Sequence, residues 1–455
     1  RFPDASLLQR KPQCRYASPV QSDLRGIIGI LGFGVDGQAV AEFLETQPEV
    51  KEVRVFDDEA RCQVSGVRCQ KGTSLDGVSL LFRSPGFRLT HPLIAEAKKR
   101  GIPITSSTTY FLQHFPDITV GITGSNGKTT CTSLIAEMLR AQFGKERVEE
   151  GGNDRKPRLD LLTTNYSLLT TTYVVLELSS FQLIDCPLSP DVAVVLNITP
   201  NHLDWHKDMH EYIEAKRRIV AHQRGGEDGE EERRRGDIAI LNQDDPIVKT
   251  FAEGLKGDVH WFNDLSTVHC PLSILKFKTN PDTLCAAVTA ARALGVAEEN
   301  IVKVLETFRG APHRIEFVRE LDSVKWHNDS SCTTPESAIT ACEAFPVGSL
   351  ILLLGGRDKG MDFAKLYEVI RKRKVRVVPY GEMAETFAKN IPKDQLCENS
   401  QFSILNSQFL QIVEAARKNA HPGDNVVLSP ACASFDMFAS AKERGGIFEE
   451  IVRAL

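Results

Sequence analysis

Residues Gly121–Thr130 read GITGSNGKTT. They stand between the apolar run Ile118–Val120 and the helix-forming stretch CTSLIAEML. Glycines let a backbone take positive φ and approach a ligand closely. The amides of such a loop, and of the helix turn after it, can then face one anion. Gly124, Ser125, Asn126, Gly127, Lys128, Thr129 and Thr130 are therefore candidate phosphate-binding residues. Lys128 would supply a point charge, and the Thr129 hydroxyl is placed to reach a magnesium ion. A strict P-loop has a glycine five residues before Gly127, and that position is Ile122. The loop alone leaves open nucleotide splitting, group transfer and simple binding.

The same alternation of strand, glycine turn and helix recurs along the chain. GIIGILGFG, Gly26–Gly34, reads as a strand running into a turn, followed by the helical AVAEFLE and the strand Val53–Asp58. Gly32, Gly34 and Gly37 give G-x-G-x-x-G, with Asp57 an acid 23 residues after Gly34. NAD, a nucleotide-sugar diphosphate, or no ligand at all fits such a turn. LLFRSPGFRLTHPLI, Leu80–Ile94, reads as strand, Ser-Pro-Gly turn and helix. Tyr173–Ser180 and Val192–Thr199 are continuous apolar strands, as in parallel sheets covered on both faces. Ser349–Gly356, VRVVPYG and NVVLSPA begin and continue a last section that ends in a charged helix. The pattern predicts α/β architecture throughout. The charged run Arg224–Asp237 reads as a solvated loop, and residues 1–25 as a disordered tail or a targeting remnant.

Length and charge narrow the function classes. A chain of 455 residues holds about three domains, each long enough for its own core. A net charge of −5 argues against a nucleic-acid binder. No apolar run reaches the ~18 residues of a membrane span. Eleven scattered cysteines with no CxxC pair point to a reducing, cytoplasmic setting rather than a disulfide framework. His206 near His202 is not read as a zinc site, because no cysteine stands close to the pair.

TGSNGKTT, LELSSFQL, NITPNHLDWH, HRIEFV, LLLGGRDKGMDF and SPACASFDMF occur in this order. Together they resemble the Mur ligase family, and within it the branch that adds D-glutamate to UDP-N-acetylmuramoyl-L-alanine in peptidoglycan synthesis. The resemblance runs from about Gly26 to the C-terminus. It implies a three-domain Mur ligase-like architecture: a Rossmann-like UDP-sugar domain (26–112), a central P-loop ATPase-like domain (113–311) and a Rossmann-like amino-acid domain (312–455). It implies a monomeric ATP-dependent amide ligase that passes through an acyl phosphate and uses two magnesium ions.

Residue by residue, the resemblance implies that Lys128, Glu177, His202 and Lys216 carry the chemistry. Thr129, Glu177, His202 and a carbamylated Lys216 would serve the metals. A bare ammonium has no lone pair for a metal, and by itself Lys216 reads as an exposed helix lysine. Asn280, Arg314 and Asp329 would join the loop in holding ATP. Gly34, Val35, Asp36, Asp57, Ser84, Pro85 and Gly86 would hold the UDP sugar, with Asn153 facing the metal and acyl-phosphate region. Thr333, Lys359, Ser434 and Phe438 would hold D-glutamate, Ser434 from a loop that reads as a helix start. The chain departs from the family at Asp36, Thr283, Ser331 and Ala441. Ser331 replaces a lysine; either another cation, such as Lys359 or Arg357, offsets the loss, or activity is lower. Two other classes remain: a related ligase such as a folylpolyglutamate synthase, and a nucleotide-binding protein without ligase activity. An NAD oxidoreductase rests on G-x-G-x-x-G alone.

Overall fold

The structure is a computed structural model. It describes residues 24–57, 69–71, 74–153, 158–162, 172–203, 205–226, 236–263, 281–308, 310–311, 313–358, 360–397 and 409–455. Residues 1–23, most of the charged run, Asn280 and Lys359 lie outside the described residues. Residues up to 263 together with 281–304 belong to one compact unit, and residues 305–455 to a second.

The first unit holds two sheets. One is built from β1 (Gly26–Leu31), β2 (Val50–Phe56), β3 (Cys69–Lys71), β4 (Val78–Arg83) and β5 (Ile104–Thr105), in the order β3-β2-β1-β4-β5. The other contains β6 (Ile118–Thr123), β7 (Val148–Gly152), β8 (Tyr173–Glu177), β9 (Val192–Val195), β10 (Ile238–Asn242) and β11 (Asp258–Phe262), in the order β11-β10-β9-β6-β8-β7. Every pairing in both is parallel. The second unit carries β12 (Glu316–Leu321), β13 (Val324–Asn328), β14 (Leu350–Gly355), β15 (Arg376–Tyr380) and β16 (Asn425–Ala431), ordered β12-β13-β16-β14-β15. Only the hairpin β12–β13 is antiparallel there. The α/β expectation is met, and the continuous apolar runs are the central strands. All residues of β8, β9, β10, β14 and β16 are buried, so each needs cover on both faces.

Two strands stop earlier than their apolar runs suggest. β8 ends at Glu177 rather than Ser180, because Ser179 caps the helix Ser180–Leu183. Its backbone N–H and hydroxyl both meet Gln182 Oε1 at 3.0 Å, a capping box that turns the chain. β9 ends at Val195 rather than Thr199. Beyond it the backbone turns to brace the glycine loop, with Leu196 N donating to Thr123 O and Thr199 N to Ser125 Oγ.

Candidate active site

The loop grows out of β6 and feeds the helix Lys128–Phe143. Gly124 (φ 157°) and Gly127 (φ 85°) adopt backbone angles that favour glycine. The segment after β9 holds the loop from below. Ser125 N donates to Asn197 O at 2.8 Å, and Asn126 N to Asn197 Oδ1 at 2.9 Å. Ser125 is buried, and its hydroxyl bonds to Thr199 O and Tyr212 OH, each at 2.9 Å. Ser125 and Asn126 therefore shape the loop from inside. Lys128, Thr129 and Thr130 occupy the first helical turn, whose amides have no carbonyl four residues earlier within the helix. Their N–H groups and the positive end of the helix dipole suit a polyphosphate. Lys128 Nζ folds back onto Ser125 O at 3.2 Å.

Glu177 lies at the C-terminal end of β8, adjacent to β6, and is buried. Thr129 Oγ1 donates to its Oε2 at 2.8 Å, and Asn153 Nδ2 to its Oε1 at 3.4 Å. Asn153 N also donates to Glu177 O at 2.9 Å. This close approach explains Gly152 (φ 107°), where an added Cβ would lie 2.0 Å from Glu177 O. Gly152→Ala is expected to destabilise the protein by about 3 kcal/mol, read as a lower Tm and chemical-denaturation midpoint. A melt matching wild type would show that the chain can part here without loss.

Lys216 is not an exposed helix lysine. It projects from the helix Met209–Ala221 into the interior and is 2% exposed. Its Nζ donates to Gly124 O at 2.9 Å and Thr123 Oγ1 at 3.4 Å, and lies 4.8 Å from the centre of the Tyr212 ring. Burial pushes its pKa well below the lysine range; the Lys128 charge adds to this and the Glu177 charge opposes it. His202 is exposed, with φ 55°, and its ring stands edge-on to Phe181 at 4.8 Å. His206 is buried, with its ring nitrogens against Ser180 Oγ (2.9 Å) and Glu211 Oε2 (3.2 Å). Thr283 is buried against the loop, beside Gly127.

The turn after β1 is held by side chains rather than open on all sides. Asp57 Oδ2 accepts from Phe33 N at 2.7 Å, and Ser84 Oγ donates to Gly32 O at 2.8 Å. Gly37 is required by closeness, since a Cβ there would lie 2.1 Å from Gly32 O. Asp36 turns inward and accepts from Ser107 Oγ; burial raises its pKa to about 6. Gly34 and Val35 are exposed at the helix N-terminus, Val35 by 65%. Sequence reading missed Arg83. Its one signal was a charge ending an apolar strand.

In the second unit, Asp329 is buried. Ser429 Oγ donates to its Oδ2 at 2.7 Å and Ile315 N to its Oδ1 at 3.3 Å. Burial raises its pKa to about 6, opposed by Ser429 and the Arg314 charge. Ser434 does not start a helix. It opens a turn in which Met437 N and Phe438 N both donate to Ser434 O, and the helix begins at Ala441 behind the cap Ser440. Ser434 is 2% exposed, and its Oγ has no hydrogen-bond partner among the described residues. Phe438 packs edge-on against Phe409 at 4.9 Å. Thr333 lies one residue before Thr334, whose hydroxyl caps the helix Pro335–Ala344. Arg357, one of two cations considered for the place of the missing lysine, pairs with Glu382 at 3.1 Å. Arg444, also missed from sequence, is fully buried. It donates to Ser330 Oγ (2.9 Å), Ser330 O (2.8 Å) and Cys432 O (3.3 Å), tying the Thr333 loop to the Ser434 loop. His313, Glu316 and Glu449 also gather here, their ligand atoms within 4.8 Å of one another.

Residues 122–268 match the Mur ligase middle domain, and residues 313–432 the Mur ligase glutamate ligase domain. The UDP-N-acetylmuramoylalanine--D-glutamate ligase of Clostridium acetobutylicum is 34% identical, over 94% of this chain and 96% of its own. The chain belongs to the Mur ligase family. The ligase of the same name from Acetivibrio thermocellus is 37% identical over 84% of each chain. Among solved structures, the MurF ligase of Thermotoga maritima in complex with ADP has a TM-score of 0.54 at 17% identity, covering 98% of this chain and 99% of its own. UDP-N-acetylmuramate-alanine ligase MurC of the same organism has a TM-score of 0.52 at 16% identity, covering 94% and 99%. At such identities these two carry the fold: this Mur ligase shares their α/β architecture of parallel sheets.

Proposed function

We propose that this chain is an ATP-dependent amide ligase that joins D-glutamate to UDP-N-acetylmuramoyl-L-alanine in peptidoglycan precursor synthesis. The observation that carries the reading is the chain-wide likeness, over 94% of its length, to a ligase named for that reaction. The site gives the reading its chemistry. Lys128 and the first-turn amides hold the ATP phosphates, Arg314 adds its fork of donors to them, and Asp329 serves the ribose of the nucleotide. Thr129 and Glu177 fit magnesium, because they bring a hydroxyl and a buried carboxylate to one place 2.8 Å apart. His202 and a carbamylated Lys216 complete the set for a second ion. Bound magnesium would neutralise charge on the transferring phosphoryl group.

The γ-phosphoryl group passes to the L-alanine carboxylate. The D-glutamate amine then attacks the acyl phosphate, and an amide, ADP and phosphate result. Gly34, Val35, Asp57 and the turn Ser84-Pro85-Gly86 receive the UDP sugar, and Asn153 faces the reacting carboxylate beside Glu177. Asp36 supports the turn from inside. The buried hydroxyl of Ser434, with Thr333, Lys359 and Phe438, receives D-glutamate; Asn280 contacts the nucleotide. The working division is 26–112 for the UDP sugar, 113–311 for ATP and 312–455 for the amino acid. We assign a monomer acting in the cytoplasm. Among the described residues no helix is long and apolar enough to cross a membrane.

The test is amino-acid-dependent phosphate release with ATP, Mg²⁺ and UDP-N-acetylmuramoyl-L-alanine. D-glutamate is expected to give at least ~10-fold faster release than L-alanine or L-lysine, since a pocket hydrogen-bonding a side-chain carboxylate rejects residues without one. Equal release with all three would overturn the substrate. ATP binding with no release would leave a nucleotide-binding protein.

A further inference from the structure

Arg83 ends β4 and is 0% exposed. Its guanidinium forks onto Asp185, with Nε to Oδ2 at 2.7 Å and Nη2 to Oδ1 at 2.5 Å. Nη1 donates to the carbonyls of Ser84 (3.3 Å), Pro85 (3.3 Å) and Phe87 (2.9 Å), and Nη2 to Phe181 O (3.0 Å). The first three carbonyls belong to the turn after β4. Phe181 and Asp185 belong to the segment that follows Glu177. A second link runs in parallel. Trp205 Nε1 donates to Gly86 O at 3.1 Å, and its ring stands edge-on to Phe181 at 4.7 Å.

We infer that Arg83, Asp185 and Trp205 are positioning residues that clasp the Ser84–Gly86 turn to the ATP-binding half of the unit and so set its affinity for the diphosphate of a nucleotide sugar. The inference rests on the assignment of that turn to the UDP sugar. A buried guanidinium tolerates its surroundings only when its donors are met, so the turn cannot shift without stranding a charge. A trans peptide points its N–H opposite to its C=O. Drawing the Pro85 carbonyl onto Arg83 therefore aims the Gly86 N–H away from it, on the edge an anion can reach. Arg83 itself is too buried to touch a ligand. Its role is exerted through the turn.

The experiment measures the Kd of UDP-N-acetylmuramoyl-L-alanine by calorimetry, without ATP or metal, alongside the KM for each substrate. Trp205→Phe keeps a ring against Phe181 and removes one hydrogen bond. It is expected to raise that Kd about fivefold, the equivalent of about 1 kcal/mol, with the KM for ATP unchanged. Arg83→Lys keeps the charge without the fork and is expected to raise the Kd on the order of tenfold. Should Arg83→Lys fold poorly, Trp205→Phe carries the test alone. A purely structural role would move both KM values together or neither, and either result overturns the clasp. A wild-type protein that binds no UDP-N-acetylmuramoyl-L-alanine removes the functional assignment itself. A wild type that binds it, with variants that bind it equally, removes only the clasp.

Discussion

Lys128→Ala is expected to reduce D-glutamate-dependent phosphate release on the order of 10³-fold, the scale of removing a preorganised charge contact from a transition state. Lys128 is partly exposed, and its ammonium donates to Ser125 O within the same loop. Its loss therefore removes charge from the phosphate site without opening the core, and Tm should stay within about 2 °C of wild type. Phosphate release measured under saturating ATP separates this from weakened nucleotide binding. Activity within tenfold of wild type would take the loop out of the chemistry. The departure at Ile122 does not weaken the expectation. The loop's geometry rests on Gly124, Gly127 and the brace from Asn197, none of which needs a glycine at 122.

Lys216→Met is expected to abolish turnover while leaving Tm unchanged or raised. The wild-type side chain places an ammonium where burial disfavours charge, so its pKa falls well below the usual lysine value. That depression enlarges the fraction of neutral amine near neutral pH, the form that adds carbon dioxide to give a carbamate. The sign of the pH effect follows. In CO₂-free buffer the unfolded state binds more protons than the folded state between the depressed value and the ordinary ~10.4, so wild-type stability rises with pH through that window. Methionine removes this slope, and melts over a pH series compare the two proteins directly. Parallel slopes, or a collapse of Tm in the variant, would contradict the account. Lys216→Ala should regain part of its activity with short-chain carboxylates, which supply the missing anionic oxygens.

Much of the site was legible because it is local. The glycine loop, the strand end at Glu177 and the turn at Ser84–Gly86 each lie within a few residues of an apolar run, and period and glycine placement reveal such features. Strand ends were less legible. The apolar runs Tyr173–Ser180 and Val192–Thr199 continue past the last paired residue, and capping by Ser179 and bracing by Asn197 decide where pairing stops. Lys216 shows the limit most sharply. A lysine on a charged helix reads as solvated, and only the packing of that helix against β6 buries it beneath the loop.

Arg83 and Arg444 belong to the same class. Each is a single cation in sequence, and each becomes a fully buried clamp when distant segments close on it: 102 residues separate Arg83 from Asp185, and 114 separate Arg444 from Ser330. The sequence by itself determined the α/β class, the phosphate loop and the family resemblance, because these are written in short-range patterns of apolar residues, glycines and hydroxyls. The tertiary structure decided which polar side chains are buried and what they hold. It turned Asp36 inward, gave Asp329 to Ser429, left the Ser434 hydroxyl open and set Lys216 against Gly124. Those outcomes depend on desolvation and on partners far along the chain, quantities that no local pattern contains.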